Sequence, residues 1–562
     1  MKKFLCVSLA LLLSLGLFVG CTGHRAEDDE QEDPTKTTLR VATYEGGVGA
    51  EWLENAAARF EERYADTKFE PDDPNKTGVN VIITENRRYN GETMLDSLQS
   101  ETADVFFTET VNYYDHVNRG NFADITDIVK DETLEEFGEE GTILSKMDTA
   151  FADYLSVDDK FYGVPFYEGI YGLMYNKQVF LDYGLYYVHS GTLEGDKADT
   201  LTFITPKNAL GETLSAGPNG VRGDYDDGLP ATYAQFEELV RHIREDTSVI
   251  PFSYGGSVRE YPSRAMMTFW ADAEGYDQMR LNFTLTGKAT DLVESIGGDG
   301  TVQTYSDDVS PADAYKLRKQ AGQYYALSFL NDIVLGNPGN YRTNGNTHLD
   351  AQSNFIRGIL DPNAFDVYAM HFDGSWWENE ASDAFATLEQ LYGDAASRSK
   401  MQFGFMPIPK PTAGKVGKGV TLLSQANSLA FIRSTTDKLD LAKLFLQFMH
   451  TDAELSAFTA TTSMTRPFTY EIGQEDRAKM SEYAESLYAI RSEAKVVQPY
   501  SKTELFMNNQ SFFAVDAWSW ETNVDGRRAN NPFIAFLDGS ITSAADYFNG
   551  LYTYYSTNWI VR

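Results

Sequence analysis

An α/β architecture of at least two lobes is predicted by three features of the sequence. Strand and helix patterns alternate from Leu39 onward, no long apolar run follows the first 20 residues, and 562 residues exceed what one hydrophobic core supports. The first strand is Leu39-Arg40-Val41-Ala42-Thr43-Tyr44, which alternates and then breaks at Glu45-Gly46-Gly47-Val48-Gly49. Leu53, Ala56, Ala57, Phe60 and Tyr64 recur at helical spacing, and Val79-Asn80-Val81-Ile82-Ile83 returns as a strand. Met94, Leu95 and Leu98 predict a second helix, and Ala103-Asp104-Val105-Phe106-Phe107 a third strand. This is an open α/β sheet with right-handed crossovers, whose ligands sit beyond the carboxyl ends of the strands. Tyr44-Glu45-Gly46 and Thr108-Glu109-Thr110 are therefore the loops of this lobe best placed to meet a ligand.

The first residues bear on location. Lys2 and Lys3 precede an apolar run from Phe4 to Phe18 that ends in Leu17-Phe18-Val19-Gly20-Cys21. This reads as a secretion signal, too short to span a bilayer comfortably, and its end is similar to a bacterial lipobox cut before Cys21. Residues 1–20 are then a signal peptide and Cys21 carries lipid. Cys6 lies in the discarded peptide, so neither an internal disulfide nor a cysteine-based metal site is expected. Residues 21–37 are polar and charged and read as a disordered tether. The formal charge of −36, or −38 without Lys2 and Lys3, argues against nucleic acid and against adsorption to anionic lipid.

Beyond these patterns the chain resembles the extracellular solute-binding proteins of family 1, the group that contains the maltose-type binding proteins. Tyr162-Gly163-Val164-Pro165-Phe166-Tyr167-Glu168-Gly169-Ile170-Tyr171-Gly172-Leu173-Met174-Tyr175-Asn176-Lys177 is similar to the family's first crossing between lobes and its Tyr-Asn-Lys strand end. Met370-His371-Phe372-Asp373-Gly374-Ser375-Trp376-Trp377 resembles the Gly-x-Trp ligand segment, and Phe403-Gly404-Phe405-Met406-Pro407-Ile408-Pro409 the return strand. The helix Ala442 to Met449, Thr465-Arg466-Pro467, and Asn531 to Tyr555 with its Asp538-Gly539 break resemble the closing elements. One departure is that Tyr183-Gly184-Leu185 is separated from Pro230-Ala231-Thr232-Tyr233 by about 40 residues, which predicts an inserted subdomain or hairpin. A second excess lies near residues 289–347.

The resemblance implies a two-lobed, periplasmic-binding-protein-like α/β fold that closes as a hinge. Its first lobe would comprise residues 38–165 and about 428–492. The second would comprise 166–427 and about 493–562, with insertions near 186–228 and 289–347. It further implies the binding component of an ABC-type importer, monomeric, extracytoplasmic and held to the membrane at Cys21. Such a protein passes a carbohydrate, an oligosaccharide by this reading, to permease subunits and needs no cofactor.

Sugars offer apolar C–H faces ringed by hydroxyls, so their clefts need flat aromatics beside planar donors and acceptors. Trp376 and Trp377, in a Gly-Ser loop beside Asp373, are the candidate platforms, with one of the two as the alternative for core packing. Glu168, with Tyr167 and Tyr171, would face the cleft from the crossing and accept hydroxyl bonds, the alternative being a structural pair with an arginine. Tyr254, Tyr261 and Trp270 flank a further candidate loop, and Tyr44, Glu45 and Glu109 complete the ligand-binding set. Trp518 and Trp520 fit a buried strand face better than a stacking surface, and Arg466 fits a loop anchor.

Catalytic signatures are missing from the sequence. There is no Gly-x-Ser-x-Gly elbow, no His-Glu-x-x-His and no Walker loop, and Trp52 replaces the third glycine of a dinucleotide pattern. The seven histidines lie scattered, so no metal site is expected from them. Asp73-x-Asn75-x-Thr77-Gly78 starts like a calcium loop, but Thr84 stands at its twelfth position and Glu85 one residue late. The alternative functions are capture of a polyamine or peptide and, in another class, a secreted glycan-degrading enzyme.

Overall fold

A computed structural model describes residues 32–91, 93–109, 111–189, 201–203, 214–426, 428–507 and 531–559. Two five-stranded sheets organise them, with strands numbered here in chain order. The first sheet has the order β2-β1-β3-β15-β4, built from β1 (Thr37–Thr43), β2 (Val79–Glu85), β3 (Val105–Glu109), β15 (Ser428–Ile432) and β4 (Val164–Pro165). β1 lies parallel to both β2 and β3, as the opening β-α-β pattern requires, whereas β15 returns antiparallel between β3 and β4. The predicted first helix is Glu51–Arg63, and it buries Trp52, Leu53, Ala56, Ala57 and Phe60 on one face. The second predicted helix is only turns and the 3-10 segment Leu98–Ser100. There Ser100 Oγ donates back to the Ser97 carbonyl, a local bond that competes with regular helix.

The second sheet has the order β11-β8-β12-β5-β13, from β11 (Tyr341–Thr343), β8 (Ile250–Tyr254), β12 (Tyr368–Gly374), β5 (Tyr171–Asn176) and β13 (Phe403–Phe405). β5 runs antiparallel to both its neighbours, mirroring the role of β15 in the first sheet. The Tyr-Asn-Lys motif has a local physical role here. Asn176 ends β5 and its side chain caps the helix Lys177–Asp182 by accepting from Val179 N–H at 3.1 Å. Thr232 of Pro-Ala-Thr-Tyr likewise caps Tyr233–Asp246 through Gln235 N–H.

The chain passes from sheet to sheet at residues 166–170 and again between β13 and β15. On the second passage β14 (Thr421–Leu423) pairs in parallel with β16 (Lys495–Val497). The fully buried Lys410 reaches Asp272 at 2.8 Å there, and Asp272 also accepts from Thr421 N–H. A third passage follows the helix Asp452–Thr462. It leads to the helix Glu482–Glu493, where Ser486 Oγ accepts from Phe405 N–H of β13 at 2.7 Å. That helix packs on the second sheet, which corrects its placement in the first lobe: Tyr483, Leu487 and Ile490 are buried.

Both insertions carry structure on the second lobe. Between residues 186 and 228, β6 (Tyr187–His189) pairs antiparallel with β7 (Leu201–Phe203), and Phe203 stacks on His242 of the helix Tyr233–Asp246. Near 289–347 the hairpin of β9 (Gly287–Ile296) and β10 (Val302–Val309) is followed by the buried helix Ala321–Ser328. No helix among the described residues is long and apolar enough to cross a membrane.

The helix Tyr261–Glu274 is buried on almost every side, from Pro262 to Glu274. Glu274 ends it with one carboxylate oxygen accepting from Gly322 N–H and the other, Oε2, without a partner. Burial pushes its carboxyl up from 4.5 to about 8, against the Gly322 bond and the Lys415 charge. A raised acid pKa means the folded state holds a proton that the unfolded chain has released. The stability it contributes is whole below 4.5 and is lost as pH rises towards 8, at about 1.4 kcal/mol per pH unit. Glu274→Gln is expected to remove that slope. Melting curves of both proteins at pH 5 to 8 should diverge with rising pH in favour of the variant, and parallel curves would refute the assignment.

Candidate functional site

The carboxyl ends of β1 and β3 in one lobe face those of β8 and β12 in the other, and the lobes meet there. Tyr44 and Glu45 follow β1, and Glu109 ends β3. Tyr167 in the first crossing donates its hydroxyl proton to Glu109. Burial raises the Glu109 carboxyl above the usual range; Tyr167 opposes the shift and Glu380, from the other lobe, adds to it. Two carboxyls from different lobes thus feel each other across the cleft. Glu45 is exposed and pairs with Arg87 at 3.3 Å, a contact that contributes little in water.

Trp376 is the central aromatic. It is half-buried, with the buried Tyr171 ring edge-on at 4.8 Å and Tyr261 edge-on at 6.5 Å. Backbone comes close to its indole from both lobes: a Cβ would fall 2.4 Å from the indole at Gly47 and 2.3 Å at Gly374, so only glycine fits either place. Asn379, on the turn of helix that follows, donates from Nδ2 to the carbonyls of Gly47 at 3.1 Å and Val48 at 2.9 Å. Arg264 donates to the Tyr171 hydroxyl at 3.3 Å, with its guanidinium over the ring. His348 Nε2 lies 3.5 Å from Glu380, whose bond raises the imidazole pKa and favours its charged form. Glu380 also accepts from Gln352, which bonds Asp373 as well.

Several predicted residues sit elsewhere than expected. Glu168 does not face the cleft. It is 1% exposed and accepts from Arg491 at 2.7 and 3.1 Å, Thr465 at 2.7 Å and Gln498 at 2.8 Å, so it is the structural arginine pair. Trp377 is fully buried against Phe355, Phe385, Phe403 and Tyr483, which makes it the core member of the tryptophan pair. Trp270 is a core residue too: it is fully buried in a helix covered on almost every side, and Arg318 lies over its ring at 5.9 Å. Tyr254 is buried at the end of β8, edge-on to Phe533, its hydroxyl accepting from Thr343. Asp373 is fully buried, accepting from Gln352 at 2.9 Å and lying 3.4 Å from His371. Arg466 is a buried loop anchor, donating to the Met449 carbonyl at 2.7 Å. Cys21, Thr110, Trp518 and Trp520 lie outside the described residues.

Sequence reasoning missed Glu380, His348, Arg264 and Asn379. Glu380 carried a signal, since it follows Trp376 by four residues and so shares a helix face with it. The Asp73 loop is not a calcium site of the usual form. Its twelfth position, Thr84, lies in β2 paired with Ala42 and supplies no bidentate carboxylate.

No protein-family model matches the chain, and no curated protein matches its sequence. Solved structures do match. The GacH receptor of Streptomyces glaucescens, described unliganded and with acarbose, aligns with a TM-score of 0.52 at 13% identity, over 93% of this chain and 98% of that one. The solute-binding protein RafE in complex with raffinose gives 0.50 at 16% identity, over 93% and 99%. A cyclic α-maltosyl-1,6-maltose binding protein from Arthrobacter globiformis gives 0.50 at 13%, over 92% and 97%. At these identities the likeness is one of fold: the chain has the two-lobed α/β architecture of such binding proteins along almost its whole length.

Proposed function

We propose that this chain is the solute-binding component of an ABC-type importer, a member of the extracellular solute-binding proteins of family 1, and that it captures an oligosaccharide between its lobes. The observation that carries the reading is Trp376. A half-buried indole at the lobe junction, braced edge-on by Tyr171 and Tyr261, is the surface a pyranose face stacks on. Glu109, Glu380, His348 and Arg264 around it supply the planar acceptors and donors that hydroxyls need. The fold shared with structures described with raffinose and acarbose supports the same class of solute. Function here is binding and transfer to a permease rather than turnover. Secretion, lipid attachment at Cys21, a monomeric state and a place on the outer face of the membrane complete the proposal.

Glu109 and Glu380, acidic residues from the two lobes, give a cationic solute such as a polyamine its own specific support, because carboxylates favour a positive charge beside them. One panel separates the readings. Calorimetry and thermal melting with oligosaccharides, peptides and polyamines should show a shift with one glycan class and no hydrolysis of it. A solute at about a hundred times its Kd should add about 2.7 kcal/mol of stability. Silence across all glycans with a salt-sensitive shift for a polyamine would replace the oligosaccharide by a cation. Hydrolysis of the bound glycan would make the protein an enzyme.

A further inference from the structure

The inserted loop after β7 gathers carboxylates that the solute cleft does not use. Asp224, Asp226 and Asp227 each bring a carboxylate oxygen within 4.8 Å of the others. Asp226 is fully buried, and although its Oδ2 accepts from Asn219 N–H at 2.9 Å, its Oδ1 has no hydrogen-bond partner. Oδ1 of Asp227 is buried and unpartnered as well, while its Oδ2 accepts from Gly223 N–H at 2.7 Å. Asp224 accepts from the Asn219 side-chain amide at 2.8 Å and from Asp226 N–H at 3.4 Å. An exposed arginine, Arg222, is the cation whose charge reaches Asp227, and the neighbouring Tyr225 hydroxyl donates to Glu493 at 3.2 Å.

Orphaned buried carboxylate oxygens are costly unless something positive satisfies them. We propose that Asp224, Asp226 and Asp227 form a binding site for a hard divalent cation of the calcium class. Oxygen atoms around one calcium, each about 2.3–2.6 Å from it, stand no more than about 5 Å from one another, which is the spacing found here. The donors are all oxygen, with no histidine or cysteine in the group, which disfavours zinc and other nitrogen- or sulfur-seeking metals.

The ion would have a structural task. Its loop closes the path from the inserted strands to the helix Tyr233–Asp246: Gly228 N–H donates to the Ser215 carbonyl, and Tyr187 N–H to the Gly228 carbonyl. The Pro218 carbonyl also accepts from Gly417 N–H. Binding a cation at residues 224–227 ties these turns into one unit and fixes the insertion on the second lobe.

The test treats the protein with EDTA, moves it to chelator-free buffer at pH 7.5 and titrates it with calcium chloride by calorimetry. Terbium luminescence excited through Tyr225 provides a second readout. We expect one saturable calcium per chain, with a Kd no weaker than about 1 mM, and a rise in melting temperature on saturation. Asp226→Asn with Asp227→Asn should abolish both. The ion-free double variant should melt no lower than the ion-free parent, because a repelling charge pair has been removed. Should that variant fold poorly, Asp227→Asn alone, at a partly exposed position, must still weaken calcium at least tenfold. Asp73→Asn should leave binding intact. No saturable binding below about 10 mM, binding that survives Asp227→Asn, or binding lost in Asp73→Asn would each overturn the site.

Discussion

Replacing Glu168 by alanine should lower the stability of the folded protein by about 3–5 kcal/mol, with little change in its contacts to solute. The carboxylate sits in the first crossing with 1% exposure and holds three other segments at once: Thr465 from the third passage, Arg491 from the helix Glu482–Glu493 and Gln498 just after β16. Its backbone N–H donates to the Thr465 carbonyl at 2.9 Å. Removing one member of a buried, hydrogen-bonded ion pair leaves the other desolvated and unmatched, which is far costlier than losing a surface pair. Urea unfolding compared with the parent is the measurement. A loss below about 1 kcal/mol would mean that Arg491 finds solvent or another partner and that the hinge does not depend on this contact. A solute affinity that collapsed while stability held would instead return Glu168 to the cleft.

Trp376→Ala is expected to have the largest effect on binding. Loss of one well-packed aromatic anchor costs about 2–3 kcal/mol of affinity, a 30- to 150-fold weakening for the solute that the panel identifies. The neighbouring position provides the control. Trp377→Ala opens a cavity among Phe355, Phe385, Phe403 and Tyr483, so its cost of about 3–5 kcal/mol should appear in stability. Calorimetry and melting on both variants should therefore show opposite patterns for two adjacent residues of one type. Affinity within threefold of the parent in Trp376→Ala would remove the indole from the binding surface.

The fold was legible where it depends on local patterns. Alternation located β1 and β3 to within two residues, and the 3.6-residue period found the helix Glu51–Arg63. The failures share a cause, which is distance along the chain. Arg491 lies 323 residues from Glu168, so spacing could not reveal that the carboxylate was already paired. The pairing of helix Glu482–Glu493 with β13 is likewise a contact between segments some 80 residues apart. The tryptophan pair posed another problem, because β12 ends at Gly374 and the two-residue alternation that would sort Trp376 from Trp377 no longer applies. Trp270 was hidden by distance as well: Arg264, Thr268 and Asp272 recur at four-residue spacing along its helix like a solvated stripe, and only their bonds to Tyr171 and Lys410, far away in the chain, show that this face is covered. Asp226 carries no mark in an acidic chain, and only its burial and unbonded oxygen distinguish it from the many other carboxylates.

The Asn379 amide that bonds the Gly47 and Val48 carbonyls uses no atom of a solute. If the lobes open and close as the proposed function requires, these two bonds favour the closed arrangement without any solute, and an empty molecule visits it at a frequency they help to set. The affinity measured for any cargo is its intrinsic affinity scaled by that frequency. Under the proposed function, a permease that senses only the closed shape would then meet empty carriers as well as loaded ones, and the strength of two hydrogen bonds would help to set how often transport is attempted without cargo.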